Sequence, residues 1–125
     1  MKDEVSLSLI RSFRSKDLSN FELDRFLRSV VFSPSGKARS VKDVSELLYL
    51  STRTFNRRLS EAGISYSNIC NAVKKEKAIH LLSSTNTPIG EISRQLGYTE
   101  SANFSKAFKR WTGSSPKEFA RTARA

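Results

Sequence analysis

Arg53, Asn56 and Arg57 stand three and four residues apart in the stretch from Ser51 to Gly63, and all three carry planar, forked hydrogen-bonding groups. Arg can grip guanine O6 and N7 with two donors, and Asn can do the same for adenine N6 and N7. Three such groups on one helical face are candidate base readers in a major groove. Forty-nine residues on, Ser101, Ala102, Ser105 and Lys106 take the matching outward positions, with Asn103 beside them as a backbone contact. These side chains are smaller and include no arginine, so this second set is expected to discriminate less between bases. Lys109 and Arg110 near the end of that stretch, and Ser40 and Lys42 near the start of an earlier one, read as phosphate contacts, which set a protein's register on a duplex without reading its sequence.

No other residues offer a chemistry. Cys70 has no second cysteine for an intrachain disulfide, and it lies between Ile69 and Val73 on an apolar face with no partner to activate a thiolate. A single histidine, His80, cannot build a zinc site of the Cys/His type. Neither a phosphate-cradling glycine loop nor the spacing of a catalytic triad occurs, so no cofactor, no metal and no enzymatic activity are expected. Phe104, Ala107, Phe108 and Trp111 repeat at helical spacing and read as core, not as base-stacking platforms, and Lys74, Lys75 and Lys77 read as a solvated helix face.

Composition narrows the partner. The 125 residues hold 22 Lys and Arg against 12 Asp and Glu, a formal charge of +10 with a pI near 10.2. Up to Gly36 six basic residues face five acidic ones, so almost all of the excess falls between Lys37 and Ala125. A field of that sign concentrates polyanions, either nucleic acid or an anionic membrane surface. The 38% of hydrophobic residues suffices for a thin core. No run approaches the ~18 consecutive apolar residues of a membrane span. The opening Met1 to Ile10 has Asp3 and Glu4 where a secretory signal would be positive, so export is not expected and a cytoplasmic location is.

The elements that must hold these side chains read as all-α, about seven helices. Apolar residues from Phe21 to Val31 mark a first helix, with Ser19 and Asn20 as candidate caps. Ser40 and Asp43 form a capping box ahead of Val41, Val44, Leu47 and Leu48, and Ser51 caps the next helix, whose apolar face is Phe55, Leu59 and Ala62. A stretch of about 65–83 without Gly or Pro predicts one helix of ~27 Å. Thr87 is a candidate cap with Pro88 at the first helical position, Thr99 or Ser101 starts the helix that carries Phe104, and Ser115 to Glu118 is a final capping box. Residues 1–20 suit a strand or a helix equally and are taken as a mobile or helical extension, and 122–125 as a tail.

The two halves repeat. Val44, Leu48 and Leu50 recur as Ile92, Leu96 and Tyr98 at an offset of 48, and Phe55 and Leu59 recur as Phe104 and Phe108 at 49. Each copy is a short helix, a tight turn and a second helix with a polar outer face: a helix-turn-helix unit, at about 40–63 and about 88–113. A connecting helix of ~27 Å suits successive major grooves, ~34 Å apart on one face of a duplex.

Ile89-Gly90-Glu91-Ile92-Ser93-Arg94-Gln95-Leu96-Gly97-Tyr98, followed by Ser101, Phe104, Ser105, Phe108 to Gly113 and Ser115-Pro116, resembles the AraC/XylS-type bacterial transcription regulators. Ser51 to Leu59 and Ala78 to Leu82 are similar to the same family, and the resemblance covers about 21–121. It implies two helix-turn-helix units bridged by a long helix, sequence-specific binding of double-stranded promoter DNA, RNA polymerase as a further candidate partner, and Thr52, Thr54 and Arg58 as flanking backbone contacts. Tyr49 departs from the family, which usually has glycine or a small residue in that turn; either the turn is rebuilt or Tyr49 bears the strain. The 20 residues ahead are too few for the separate effector-binding or dimerisation domain of the family, so a piece of a longer regulator or a small stand-alone member is expected. Two other classes compete with this reading: a protein-interaction module with non-specific polyanion binding, and a DNA repair protein using Cys70 as alkyl acceptor.

Overall fold

The computed structural model describes residues 7–15 and 18–123, so the chain ends, with parts of the expected extension and tail, lie outside it. Eight helices follow one another among the described residues: α1 (Leu7–Arg14), α2 (Asn20–Val30), α3 (Val41–Leu47), α4 (Thr52–Glu61), α5 (Tyr66–Ser84), α6 (Ile89–Gln95), α7 (Ser101–Thr112) and α8 (Pro116–Ala123). The all-α reading holds, with α1 added to the seven expected. An isolated antiparallel bridge, Phe32 to Ala38, closes the loop after α2. The chain divides near residues 71 and 72 into two compact units.

In the first unit, local sequence sets where each helix begins. Ser19 and Glu22 form a capping box on α2, Ser40 and Asp43 form one on α3, and Ser51 accepts the Thr54 amide at the start of α4. Their apolar stripes then meet: Leu23, Phe26, Leu27, Val30, Val44, Leu48, Phe55 and Leu59 are buried, with Tyr66 and Ile69 from the start of α5. The Tyr66 ring packs edge-on to Phe55 at 6.1 Å, and its hydroxyl donates to the Arg39 carbonyl at 2.9 Å. Burial pushes the Tyr66 phenol far above its ordinary range, so it stays a neutral donor. The leading segment joins this core. Phe13 of α1 stacks on Phe55 at 5.8 Å and lies 6.1 Å from Phe26.

The second unit centres on Phe108. That ring contacts Phe104 at 5.8 Å, Trp111 at 6.4 Å and Phe119 of α8 at 5.4 Å, with Ile92 of α6 and Leu96, its C-cap, also fully buried. Phe104, Ala107 and Phe108 are thus core, as their spacing predicts, while Trp111 is half-buried at its edge. Two boundaries move from the sequence reading. Pro88, not Thr87, is the N-cap of α6, with an extended backbone (φ −62°, ψ 149°), because the Thr87 hydroxyl is taken by Thr85 at 2.8 Å. Glu100, not Thr99 or Ser101, is the N-cap of α7, and no side chain caps that helix. The last capping box stands: Ser115 and Glu118 bond reciprocally.

Candidate nucleic-acid interface

α3 and α4 form the first helix-turn-helix unit, α6 and α7 the second, and their two turns share one hydrogen-bond pattern. The Leu50 amide reaches back to the Ser45 carbonyl at 2.9 Å, and the Tyr98 amide to the Ser93 carbonyl at 3.0 Å. Each is the long bond of a helix-ending turn that needs a left-handed residue inside it. Gly97 supplies that residue at φ 92°, and Tyr49 takes the same conformation at φ 58°. The first turn is therefore not rebuilt, and Tyr49 bears a cost of about 1–2 kcal/mol that glycine escapes. Its ring gains little in return, being 74% exposed. Ser45 and Ser93, also 48 residues apart, are the two buried polar residues among those described, and Ser45 settles its hydroxyl on the Val41 carbonyl at 2.7 Å.

α4 turns Phe55 and Leu59 inward, so Thr52, Arg53, Asn56 and Arg57 are exposed on its other side. Three planar hydrogen-bonding groups thus share the exposed side of α4. Thr54 is half-buried, its Oγ1 accepting from the Ser51 hydroxyl at 3.1 Å. Ser40 and Lys42, at the start of α3, are exposed. Ser40 holds the Asp43 amide at 3.1 Å, and its own amide bonds to the carboxylate, which keeps the Asp43 pKa below the usual aspartate range.

Arg58, expected as a phosphate contact, does not join this exposed face. Its guanidinium turns inward, where Nη1 donates to the Phe13 carbonyl and Nε is buried without a partner. The repeat contains the reason. At the offset of 49, Arg58 corresponds to Ala107, a buried position of α7. Residues 55, 58, 59 and 62 make one inward stripe, so an arginine there must find its partners inside the unit.

On α7, Ser101, Ala102, Asn103 and Lys106 are exposed and Ser105 is half-buried. Lys109 and Arg110 are exposed in its last turn, where cations meet the negative end of the helix dipole. A Cβ built on Gly90 of α6 would lie 3.8 Å from Ser101 Oγ, so this glycine sits against the start of α7. Glu91 pairs with Arg94 and accepts from Gln95 Nε2 at 3.2 Å, which holds the Glu91 pKa below its ordinary value. Lys74 is not a purely solvated cation, because its ammonium lies 5.2 Å from the centre of the Tyr98 ring, beside the second turn.

The two helix-turn-helix units agree with comparison to known proteins. A helix-turn-helix domain family matches residues 44–122. The chain belongs to the AraC/XylS-type helix-turn-helix family. These are bacterial transcription regulators, and the matched residues correspond to their DNA-binding domain. The chain is 42% identical over 80 residues to the transcriptional regulator VqsM of Pseudomonas aeruginosa, a match that covers 64% of this chain and 25% of VqsM. It superposes on the C-terminal domain of AraT, a response regulator from Geobacillus stearothermophilus, with a TM-score of 0.65 and 30% identity, covering 82% of this chain and 84% of that domain. The DNA-binding domain of AdpA, solved in complex with a target DNA, shares the fold at a TM-score of 0.62 and 20% identity, with 84% of this chain and 92% of that one covered. The chain spans about a quarter of the length of the curated relatives it matches.

Among the described residues, no helix is long and apolar enough to cross a membrane, and no group of three or more His, Cys, Asp or Glu side chains is placed to hold a metal.

Proposed function

We propose that this AraC-type domain recognises a specific double-stranded promoter sequence, with α4 and α7 as recognition helices in consecutive major grooves. The observation that carries this is the exposed triad Arg53, Asn56 and Arg57 on α4, three bidentate-capable groups with the core stripe behind them. Ser101, Ala102, Ser105 and Lys106 form the second, less discriminating reading face. Ser40, Lys42, Thr52, Thr54, Asn103, Lys109 and Arg110 serve the phosphates, positioning the domain and giving binding its salt dependence. Two different reading faces on one chain suit an asymmetric site bound by a single copy. In this proposal the domain works in the cytoplasm on the nucleoid, as part of a regulator that activates transcription through contact with RNA polymerase and takes its effector response from a separate domain.

The sorting of readers from phosphate contacts is tested by two substitutions profiled against a randomised duplex pool. Arg57→Ala is expected to cost ~1–3 kcal/mol on the preferred site and to relax the preference at one base position. Lys109→Ala is expected to weaken binding to all sequences alike and to lower the salt slope by about 1. Identical sequence profiles for the two variants would refute the assignment.

A further inference from the structure

The family match begins at Val44, yet two guanidinium groups tie α1 to both helices of the first helix-turn-helix unit. Arg14, at the end of α1, donates through Nη1 to the carbonyls of Leu48 at 3.2 Å and Tyr49 at 2.5 Å. Arg58 of α4 runs the other way, from Nη1 to the Phe13 carbonyl, with its Nε already buried. Phe13 itself is buried and stacked on Phe55 of α4. The carbonyls that Arg14 grips lie just past the C-terminus of α3, the end where helix backbone carries partial negative charge, and they flank the residue held at φ 58°. The turn most in need of support is thus the one that a side chain from outside the unit holds.

We propose that α1 is a positioning helix for the first recognition helix: Arg14 fixes the α3–α4 turn, Arg58 returns the tie, and residues upstream of the family match thereby set how well α4 reads DNA. The last clause rests on the reading of α4 as a base-reading helix. Base readers need their supporting elements fixed to within about 0.5 Å and 10–20°. With the tie cut, Tyr49 can leave the left-handed region, and Arg53, Asn56 and Arg57 lose their shared direction.

The test uses the full chain with Arg14→Ala, Arg14→Lys, and Arg14→Ala combined with Tyr49→Gly, each checked for a folded core by near-ultraviolet circular dichroism. Two quantities are read. One is hydrogen exchange at the Leu50 amide, with the Tyr98 amide of the twin turn as internal control. The other is affinity for a duplex selected by the native chain and for versions scrambled in one half or the other, the first-unit half being the one whose scrambling makes Arg57→Ala redundant. Arg14→Ala is expected to speed Leu50 exchange about tenfold, or ~1.4 kcal/mol, and to leave Tyr98 unchanged. It is expected to weaken the selected duplex by a similar factor, and not to weaken further the one scrambled in the first-unit half. Lysine, which still donates to carbonyls, and glycine at position 49, which removes the strain, are each expected to restore most of both.

Unchanged Leu50 exchange, equal acceleration at Tyr98, or an affinity loss shared by both scrambled duplexes would overturn the proposal. So would a double variant as weak as Arg14→Ala alone, or an Arg14→Lys variant with no recovery. If the native chain does not distinguish selected from scrambled duplexes, the reading of α4 fails, while the exchange data still decide whether Arg14 fixes the turn.

Discussion

Replacing Tyr49 by glycine and by alanine isolates the strain in the first turn. Both changes remove the same exposed ring, so the lost contacts cancel in the comparison, and only backbone preferences differ. At φ 58° alanine keeps the left-handed penalty of about 1–2 kcal/mol that glycine escapes. Glycine in turn loses about 0.4–1 kcal/mol through the greater freedom of its unfolded chain. Tyr49→Gly should therefore be more stable than Tyr49→Ala by about 0.5–1 kcal/mol. The same pair of changes at Glu76, exposed in the middle of α5, should give the opposite order, with alanine ahead by about 0.8–1 kcal/mol. Urea titrations followed by far-ultraviolet circular dichroism measure both differences at constant m. Alanine equal to or better than glycine at position 49 would show that the turn does not hold a strained residue, and the account of Arg14 as its support would fail with it.

Two further outcomes test the packing and the caps. Phe108→Ala empties the centre of the second unit and is expected to cost ~3–5 kcal/mol; the single tryptophan, Trp111, packs on that ring and reports the loss as a fluorescence transition at lower urea, and an unchanged midpoint would contradict the assigned core. Asp43, whose folded pKa lies below its unfolded value because the Ser40 amide bonds to the carboxylate, contributes stability that is complete above about pH 4 and is lost as the pH falls through the folded value. Asp43→Asn should flatten that part of the stability–pH curve, and identical acid slopes for the two proteins would rule out the linkage.

What the sequence made legible was what short-range chemistry decides. Capping boxes at Ser40 and Ser115 and the cap at Ser51 each involve residues within a turn of one another, and all stand where the pattern puts them. The repeat was legible because two copies of one unit bury the same positions. Harder to read was anything that depends on what a helix packs against. Phe13 looks like one apolar residue in an ambiguous segment, and only the ring of Phe55, 42 residues away in the chain, makes it core. The family resemblance puts Arg58 among the flanking backbone contacts, whereas its register with Ala107 places it on the inward stripe. Tyr49 carried an ambiguity that spacing alone does not resolve, since a rebuilt turn and a strained one have the same sequence. For the reading faces, residue type and exposure agree at Arg53, Asn56, Arg57 and Lys106, and their pairing with particular bases belongs to the duplex they meet.

The central claim, that this domain reads a specific sequence with two recognition helices, is tested most directly by selecting bound duplexes from a random pool at about 150 mM salt, sequencing them, and titrating salt on the winner. The account predicts an enriched asymmetric site with two short preferred blocks about one helical turn apart, the sharper block being the one that Arg57→Ala relaxes. A pool that stays unenriched, with affinity following salt alone, would contradict it and leave the chain a non-specific binder of polyanions.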